Sequence, residues 1–314
     1  MIALGTLLGL GAIASSIGLY QYQQYAATLP SATLLDDHAP AQVTVMYATD
    51  GEVIGEVYRE WRYVIGIDQI PQHVQQVFIA DEDADFLSHD GVDYPGIMRA
   101  AHANLIAGRP AQGASTITQQ IARNLILKDR DKTIERKLKE IIVAWDIEET
   151  YSKDFILGLY INEVFLGAQS YGIEAAARSY FDKHVDALTA SEAALLAGLP
   201  QRPSDYNPWR NPEAARARQH YVINQMVDKG FISEAEGPQA REEAWNLRRG
   251  ENLFRSQAPH FTEHVRRLLV DLYGEDEVYT GSLQVHTTCD LALQAAAQDA
   301  ISQQVADQDH KSGF

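Results

Sequence analysis

The chain of 314 residues carries 26 basic and 43 acidic residues, a net charge of −17, with 46% apolar and 9% aromatic residues. This is the composition of a folded protein with ample core, long enough for one large domain or two ordinary ones. The charge excludes a global field that would draw nucleic acid. The single cysteine, Cys289, excludes an internal disulfide and a cysteine-based zinc site.

Residues 2–20, IALGTLLGLGAIASSIGLY, form a run of nineteen residues without a charge. A helix needs about 20 such residues to cross a bilayer core, and Tyr20, Tyr22 and Tyr25 then fall where an interfacial aromatic belt would lie. The other reading is a cleaved signal peptide, which the missing positive n-region and the length of the run disfavour. Gly5 and Gly9 make a GxxxG, a weak signal of helix pairing in a membrane. The first basic residue is Arg59, so charge does not set an orientation.

Residues 40–65 read as β: VTVMY, a turn at Asp50-Gly51, then VIGEVY. From Pro71 onward the chain reads as mainly helical. The stretch ADEDADFLSHDG (80–91) crowds Asp81, Glu82, Asp83 and Asp85 into five residues among apolar neighbours. It is either a solvated turn or a place where one carboxylate is held for chemistry. From Arg109 to Lys139 eight basic residues (Arg109, Arg123, Lys128, Arg130, Lys132, Arg136, Lys137, Lys139) face three acidic ones. A net +5 segment in so acidic a protein fits a local anionic ligand such as a phosphate, or an ordinary solvated helix face. GASTITQQ (113–120) is a helix start, with Gly113 in the turn, Thr116 as N-cap and Gln119 three residues on, and its hydroxyls and amides also suit an anion or sugar.

The helix predicted over 133–149 carries Ile134, Leu138, Ile141, Ile142 and Trp145 on one face, which is expected to be the buried one. Arg136, Lys137 and Glu140 then gather on the opposite side, as a surface ion-pair trio or as a carboxylate kept ionised for use. Farther on, Thr189-Ala-Ser-Glu192 is a capping box ahead of AALLAGLP, and Asn211-Pro212 opens a helix that ends near Gly230. Residues 231–256 are polar and peripheral, SLQVHTTCD (282–290) alternates like a strand, and LALQAAAQDAI begins a last helix. His89, His102 and the other histidines are scattered, and no HExxH, GxGxxG or P-loop is present. A carboxylate pair, a polar helix start and a basic patch tied to a membrane fit glycosyl transfer from a phosphate-linked sugar. That chemistry needs a base for the attacking hydroxyl and positive charge for the departing phosphate.

Five motifs in order give this reading a family. EDxxFxxHxG is met by Glu82-Asp83, Phe86, His89 and Gly91, and the second motif by GASTITQQ as it stands. RKxxE is Arg136-Lys137-Leu-Lys-Glu140. KxxILxxYxN is Lys153, Ile156-Leu157, Tyr160 and Asn162, and the fifth motif is AALLAGLPQRPSDYNP (193–208). On these residues the chain resembles the peptidoglycan glycosyltransferases of family 51, found alone or as the N-terminal module of class A penicillin-binding proteins.

The resemblance implies a mainly α, lysozyme-like domain with a large lobe and a small membrane-proximal lobe, behind an N-terminal transmembrane helix. The corresponding boundaries are 1–24 for the anchor, 25–65 for a β-like lead-in, 66–245 for the glycosyltransferase domain, and 246–314 for a linker and the start of a transpeptidase domain otherwise absent. No SxxK followed by KTG is present, so no penicillin-reactive serine is expected. The resemblance makes Glu82 the general base and Glu140 the second essential carboxylate, acting on the pyrophosphate directly, through water, or through a divalent cation (Mg2+ or Mn2+). Asp83, Ser115, Thr116, Gln119, Gln120, Arg123, Lys128, Arg136 and Lys137 map onto donor contacts. Phe86, His89, Gly91, Gly113, Lys153, Tyr160 and Asn162 map onto the structural part of the motifs. Arg123 stands where the family more often has Lys, which exchanges a point charge for a planar fork. The implied reaction joins lipid II to a growing lipid-linked glycan, at the outer face of the bacterial cytoplasmic membrane, with other cell-wall synthesis proteins as further partners. A lytic glycan-cleaving enzyme and a non-catalytic lipid II-binding scaffold are the alternatives.

Overall fold

The structure, a computed structural model, describes residues 25, 28–107, 115–129, 131, 133–248 and 257–312. The expected anchor over 1–24, Gly113, Arg109, Arg130 and Lys132 lie outside the described residues. Among the described residues no helix is long and apolar enough to cross a membrane.

The chain packs as two units that interleave in sequence: one built from 1–38, 75–161 and 224–233, the other from 39–74, 162–223 and 234–314. Helices dominate both, as the sequence led us to expect.

Among its described residues the first unit has helices and no strand: α1 (Gln72–Glu82), whose first turn belongs to the other unit, α2 (Tyr94–Ala107), α3 (Ile117–Ile121), α4 (Ile134–Thr150) and most of α5 (Lys153–Glu163). α3 runs directly into a π-helical turn, Ala122–Leu127, which closes at Lys128 in a left-handed conformation with φ 50°. Phe78, Phe86, Ile117, Ile147, Ile156 and Ile161 are among the largest fully buried side chains.

In the second unit the predicted hairpin is present: β1 (Thr44–Tyr47) pairs antiparallel with β2 (Val53–Val57), and Gly51 takes φ 88° in the turn. β3 (Trp61–Arg62) lies parallel to β4 (Ser170–Tyr171). The helices are α6 (Ile173–Phe181), α7 (Ala190–Ala197), α8 (Pro212–Asp228), whose last turns belong to the first unit, α9 (Glu236–Glu242), α10 (Pro259–Tyr273), α11 (Glu275–Thr280) and α12 (Leu291–Ser312). Thr189 and Glu192 close the expected capping box at α7, at 3.2 and 3.0 Å. β5 (Gln284–His286) adds to β1 in parallel, giving the order β2-β1-β5. The lead-in hairpin and the late strand, far apart in sequence, thus form one sheet. Met46, Ile54, Val57, Leu269, Val278 and Cys289 pack together against it, which accounts for the cysteine as a core residue. Asn162 clamps Ile65 from both sides, accepting from its N–H at 3.1 Å and donating to its carbonyl at 2.9 Å.

The expected burial of α4 is reversed. Ile134 is 83% exposed, and Leu138 and Trp145 are 39% and 38% exposed, while Glu140, Val143, Ala144 and Ile147 are buried. Periodicity located two faces correctly and assigned them the wrong way round. A helix can turn a charged face inward when each charge meets an opposite one, and Glu140 meets both Arg136 and Lys137.

Gly91 shows how closely the loop after α1 sits on α4. Its φ is 84°, and a Cβ there would lie 2.8 Å from the carbonyl oxygen of Ala144. Gly51 shares the positive φ but has nothing within 4 Å of that position. Gly51→Ala is therefore expected to cost about 1 kcal/mol from backbone strain alone. Gly91→Ala should cost about 2–3 kcal/mol or more, because a backbone clash adds to the strain. Denaturant unfolding of the two variants checks this; equal losses would show that the close approach is not felt.

Candidate active site

The four crowded carboxylates at the end of α1 are separated by their partners. Glu82 accepts a hydrogen bond on Oε2 from Gln120 Nε2 at 2.7 Å. Asp83 is buried, and its oxygens accept from His89 Nε2 at 2.9 and 3.1 Å and from the backbone N–H of Ile117 at 3.1 Å. Asp85 pairs with Arg99 at 2.6 Å and Lys229 at 3.0 Å. Hydrogen bonds from those two cations hold its carboxyl below the usual carboxylate range. Asp85 is therefore not the uncompensated neighbour of Glu82 that its sequence position implies. His89 is spent on Asp83, with its ring edge against Phe86, which fits a role in shaping the loop.

The helix start at Thr116 folds as its sequence dictates. Thr116 Oγ1 accepts from the N–H of Gln119 at 3.1 Å, and Gln119 Oε1 accepts from the N–H of Thr116 at 3.2 Å. Thr116 Oγ1 also donates to the carbonyl of Gly91 at 2.7 Å, so the cap pins one motif to another. Both side chains are buried, and the one polar atom of Gln119 left without a partner is Nε2.

Charge enters from α4. Thr133 caps this helix by accepting from the N–H of Arg136 at 3.1 Å. One turn on, Glu140 is fully buried, with Arg136 on one oxygen and Lys137 Nζ 3.1 Å from the other. Lys137 Nζ also donates to Ser115 Oγ at 3.0 Å and Gln119 Oε1 at 2.9 Å. Burial, followed by the charges of Arg123 and Arg136, lowers the Lys137 ammonium to about 8, even with Glu140 beside it. Arg123, on the π-helical turn, is likewise lowered by burial and by Arg136, and it feels the charge of Glu82. Ser115, Gln119, Arg123, Arg136, Lys137 and Glu140 thus form one linked cluster, with Glu82 and Gln120 beside it. Lys128 is not joined to the cluster by an ion pair or hydrogen bond among the described residues.

One residue escaped the sequence reading, and another has surroundings that the reading did not anticipate. Glu148, two turns beyond Glu140, accepts from Thr118 Oγ1 at 2.6 Å and from Lys153 Nζ at 2.8 Å. Lys153 also donates to the carbonyl of His89 at 2.6 Å and lies 4.3 Å above the Phe86 ring. This one ion pair ties the first, second and fourth motifs together. The available signal was its position eleven residues after Lys137, which puts both on nearly the same helix face. The other residue is Tyr160, placed in the sequence as structural; it is enclosed, with its ring edge on Phe78 and Glu82 acting on its hydroxyl.

The arrangement can do two things chemically. Glu82, which accepts from Gln120, can take a proton. The cations of Arg123, Arg136 and Lys137 can hold an anion with two or more phosphoryl oxygens. Among the described residues no group of three or more His, Cys, Asp or Glu is gathered, and both oxygens of Glu140 face cations.

Comparison with known proteins identifies the family. A family model described as transglycosylase matches residues 50–227, the stretch that holds every residue of the cluster. The chain is 41% identical over 311 residues to penicillin-binding protein 1A of Escherichia coli (strain K12), covering 98% of this chain and 35% of that protein. It is 42% identical over 278 residues to penicillin-binding protein 1A of Aquifex aeolicus (strain VF5), covering 88% and 37%. The crystal structure of penicillin-binding protein 1A from Haemophilus influenzae aligns with 84% of this chain and 29% of that one, at 28% identity and a TM-score of 0.48. The chain therefore spans a little over a third of the length of the curated relatives it matches. Residues 50–227, with the carboxylates and cations built into them, place the chain in the transglycosylase family.

Proposed function

We propose that the chain polymerises lipid II into β-1,4-linked glycan strands by inverting glycosyl transfer. The observation that carries this reading is the Glu82 carboxylate, held by Gln120 beside the cluster of Arg123, Arg136 and Lys137. Glu82 takes the proton of the acceptor 4-hydroxyl. The freed oxygen attacks C1 of the lipid-linked donor from the face opposite the leaving group. The C1–O bond breaks, and undecaprenyl pyrophosphate departs with the bonding pair. Its growing charge is met by the three cations, which do not have to reorganise to receive it. Glu140, though buried, holds Arg136 and Lys137 in place and keeps them from repelling one another apart.

A lysozyme-like domain at the outer face of the cytoplasmic membrane suits a lipid-linked substrate. The large apolar side chains exposed in the same unit, such as Tyr94, Met98, Leu105, Ile106 and Ile134, support contact with lipid. The cation cluster weighs against a lytic enzyme, because glycan cleavage has no pyrophosphate to stabilise.

In detergent with labelled lipid II, Glu82→Gln is expected to lose about 10²–10⁴-fold in rate, the usual contribution of a general base. Wild-type activity in that variant would sink the assignment of the base. Release of soluble muropeptides from purified sacculi would instead favour a lytic enzyme.

A pH dependence follows from Lys137. Its ammonium is protonated below about pH 8 and becomes neutral above, so attraction for the pyrophosphate weakens as pH rises through that value. The ratio kcat/KM, which reports the free enzyme, should fall on the alkaline side with an apparent pKa near 8. Lys137→Arg keeps the charge and should move that limb upward. An unchanged alkaline limb would show that Lys137 does not carry it.

A further inference from the structure

Tyr160 is a buried polar residue that packing alone does not explain. It projects from α5, its ring edge meets Phe78, and its hydroxyl has no hydrogen bond of standard geometry among the described residues. A buried hydroxyl without a partner is costly, and phenylalanine would fill the same space without that cost. After burial, the carboxylate of Glu82 is the group that acts most strongly on the Tyr160 hydroxyl. Gln120 already donates to that carboxylate at 2.7 Å. Hydrogen bonds to catalytic groups are often long in the free enzyme and tighten with substrate in place.

We propose that Tyr160 and Gln120 are positioning residues for Glu82: phenol and amide donate to one carboxylate, fix the oxygen that faces the acceptor hydroxyl, and hold the group ionised until it takes a proton. The proposal rests on Glu82 being the base. Tyr160 itself does not exchange a proton. Burial first, then the charges of Glu82 and Asp81, push its phenol well above the usual range, so it remains a donor throughout.

The charged groups around Glu82 can be named. Asp81 lies on its own helix, and Arg123 on the π-helical turn feels Glu82 and Tyr160 together. Asp83 is occupied by His89, and Asp85 by Arg99 and Lys229. Arg136 and Lys137 share the single carboxylate of Glu140 next to Arg123, so the group keeps a net positive charge. Asp81 favours the protonated acid and Arg123 the ionised one. The two donors then help decide the balance.

The test is kcat and KM for lipid II polymerisation against pH, with the full chain. Removing a donor destabilises the carboxylate, so the acidic limb of kcat in Tyr160→Phe and Gln120→Met should move up. A move of about one pH unit corresponds to about a tenfold loss at the foot of the limb, recovered on the plateau. For Tyr160→Phe, KM should be unchanged. Site-specific 3-fluorotyrosine at position 160, a stronger donor of almost the same shape, should move the limb down, and it decides the matter if Tyr160→Phe does not fold. A limb unmoved by fluorination, or a uniform loss at every pH in a folded Tyr160→Phe, overturns the proposal. Full activity of Glu82→Gln would instead overturn the assignment of Glu82 as base.

Discussion

A carboxylate removed from water must be paired or it unfolds its surroundings, and Glu140 imposes that condition on the site. It is fully buried, so Arg136 and Lys137 have to reach it from the preceding turn. That requirement turns the polar face of α4 inward and leaves Ile134, Leu138 and Trp145 outside. It also fixes Lys137, which then gathers Ser115 and Gln119. The helix start at Thr116, the π-helical turn carrying Arg123, and the loop after α1 are all arranged around this inward charge. The cations stay together because a buried anion holds them, and they remain able to bind a second, mobile anion.

Below this cluster runs a second set of polar ties, directed at backbone rather than at ligand. Thr116 Oγ1 holds the carbonyl of Gly91, Lys153 holds the carbonyl of His89, and Asp83 holds the N–H of Ile117. Each joins two motifs that are distant in sequence. Many motif residues are therefore used up by the fold: Thr116, Asp83, His89 and Lys153 brace the loop that follows Glu82. Under the proposed function, such groups would hold a base and an anion site in register without reacting themselves.

Much of this was legible in the residues. Thr116 with Gln119 and Thr189 with Glu192 form the capping boxes their spacing predicts, since a cap needs only local hydrogen bonds. The hairpin at Asp50-Gly51 follows from alternation and a glycine able to take positive φ. Other features were not legible. The apolar stripe of α4 was expected inside because periodicity distinguishes two faces without saying which is covered. In sequence Asp85 is only one of four crowded carboxylates, whereas in the structure Arg99 and Lys229, 14 and 144 residues away, neutralise it. Glu148 carries no motif signature, since its partners Thr118 and Lys153 belong to two different motifs.

By itself, then, the sequence determined the helical class, the local caps and turns, and the residue types and spacings that mark a base and an anion-binding cluster. These depend on interactions within a turn or two of chain, which spacing encodes. Tertiary structure alone decided which charges are buried, which partners Glu82, Asp83 and Asp85 take, and which polar side chains serve the fold. It also brought Tyr160 to Glu82, 78 residues apart in the numbering. Those outcomes depend on desolvation and on partners far away in the chain, and both exist only once the helices have packed.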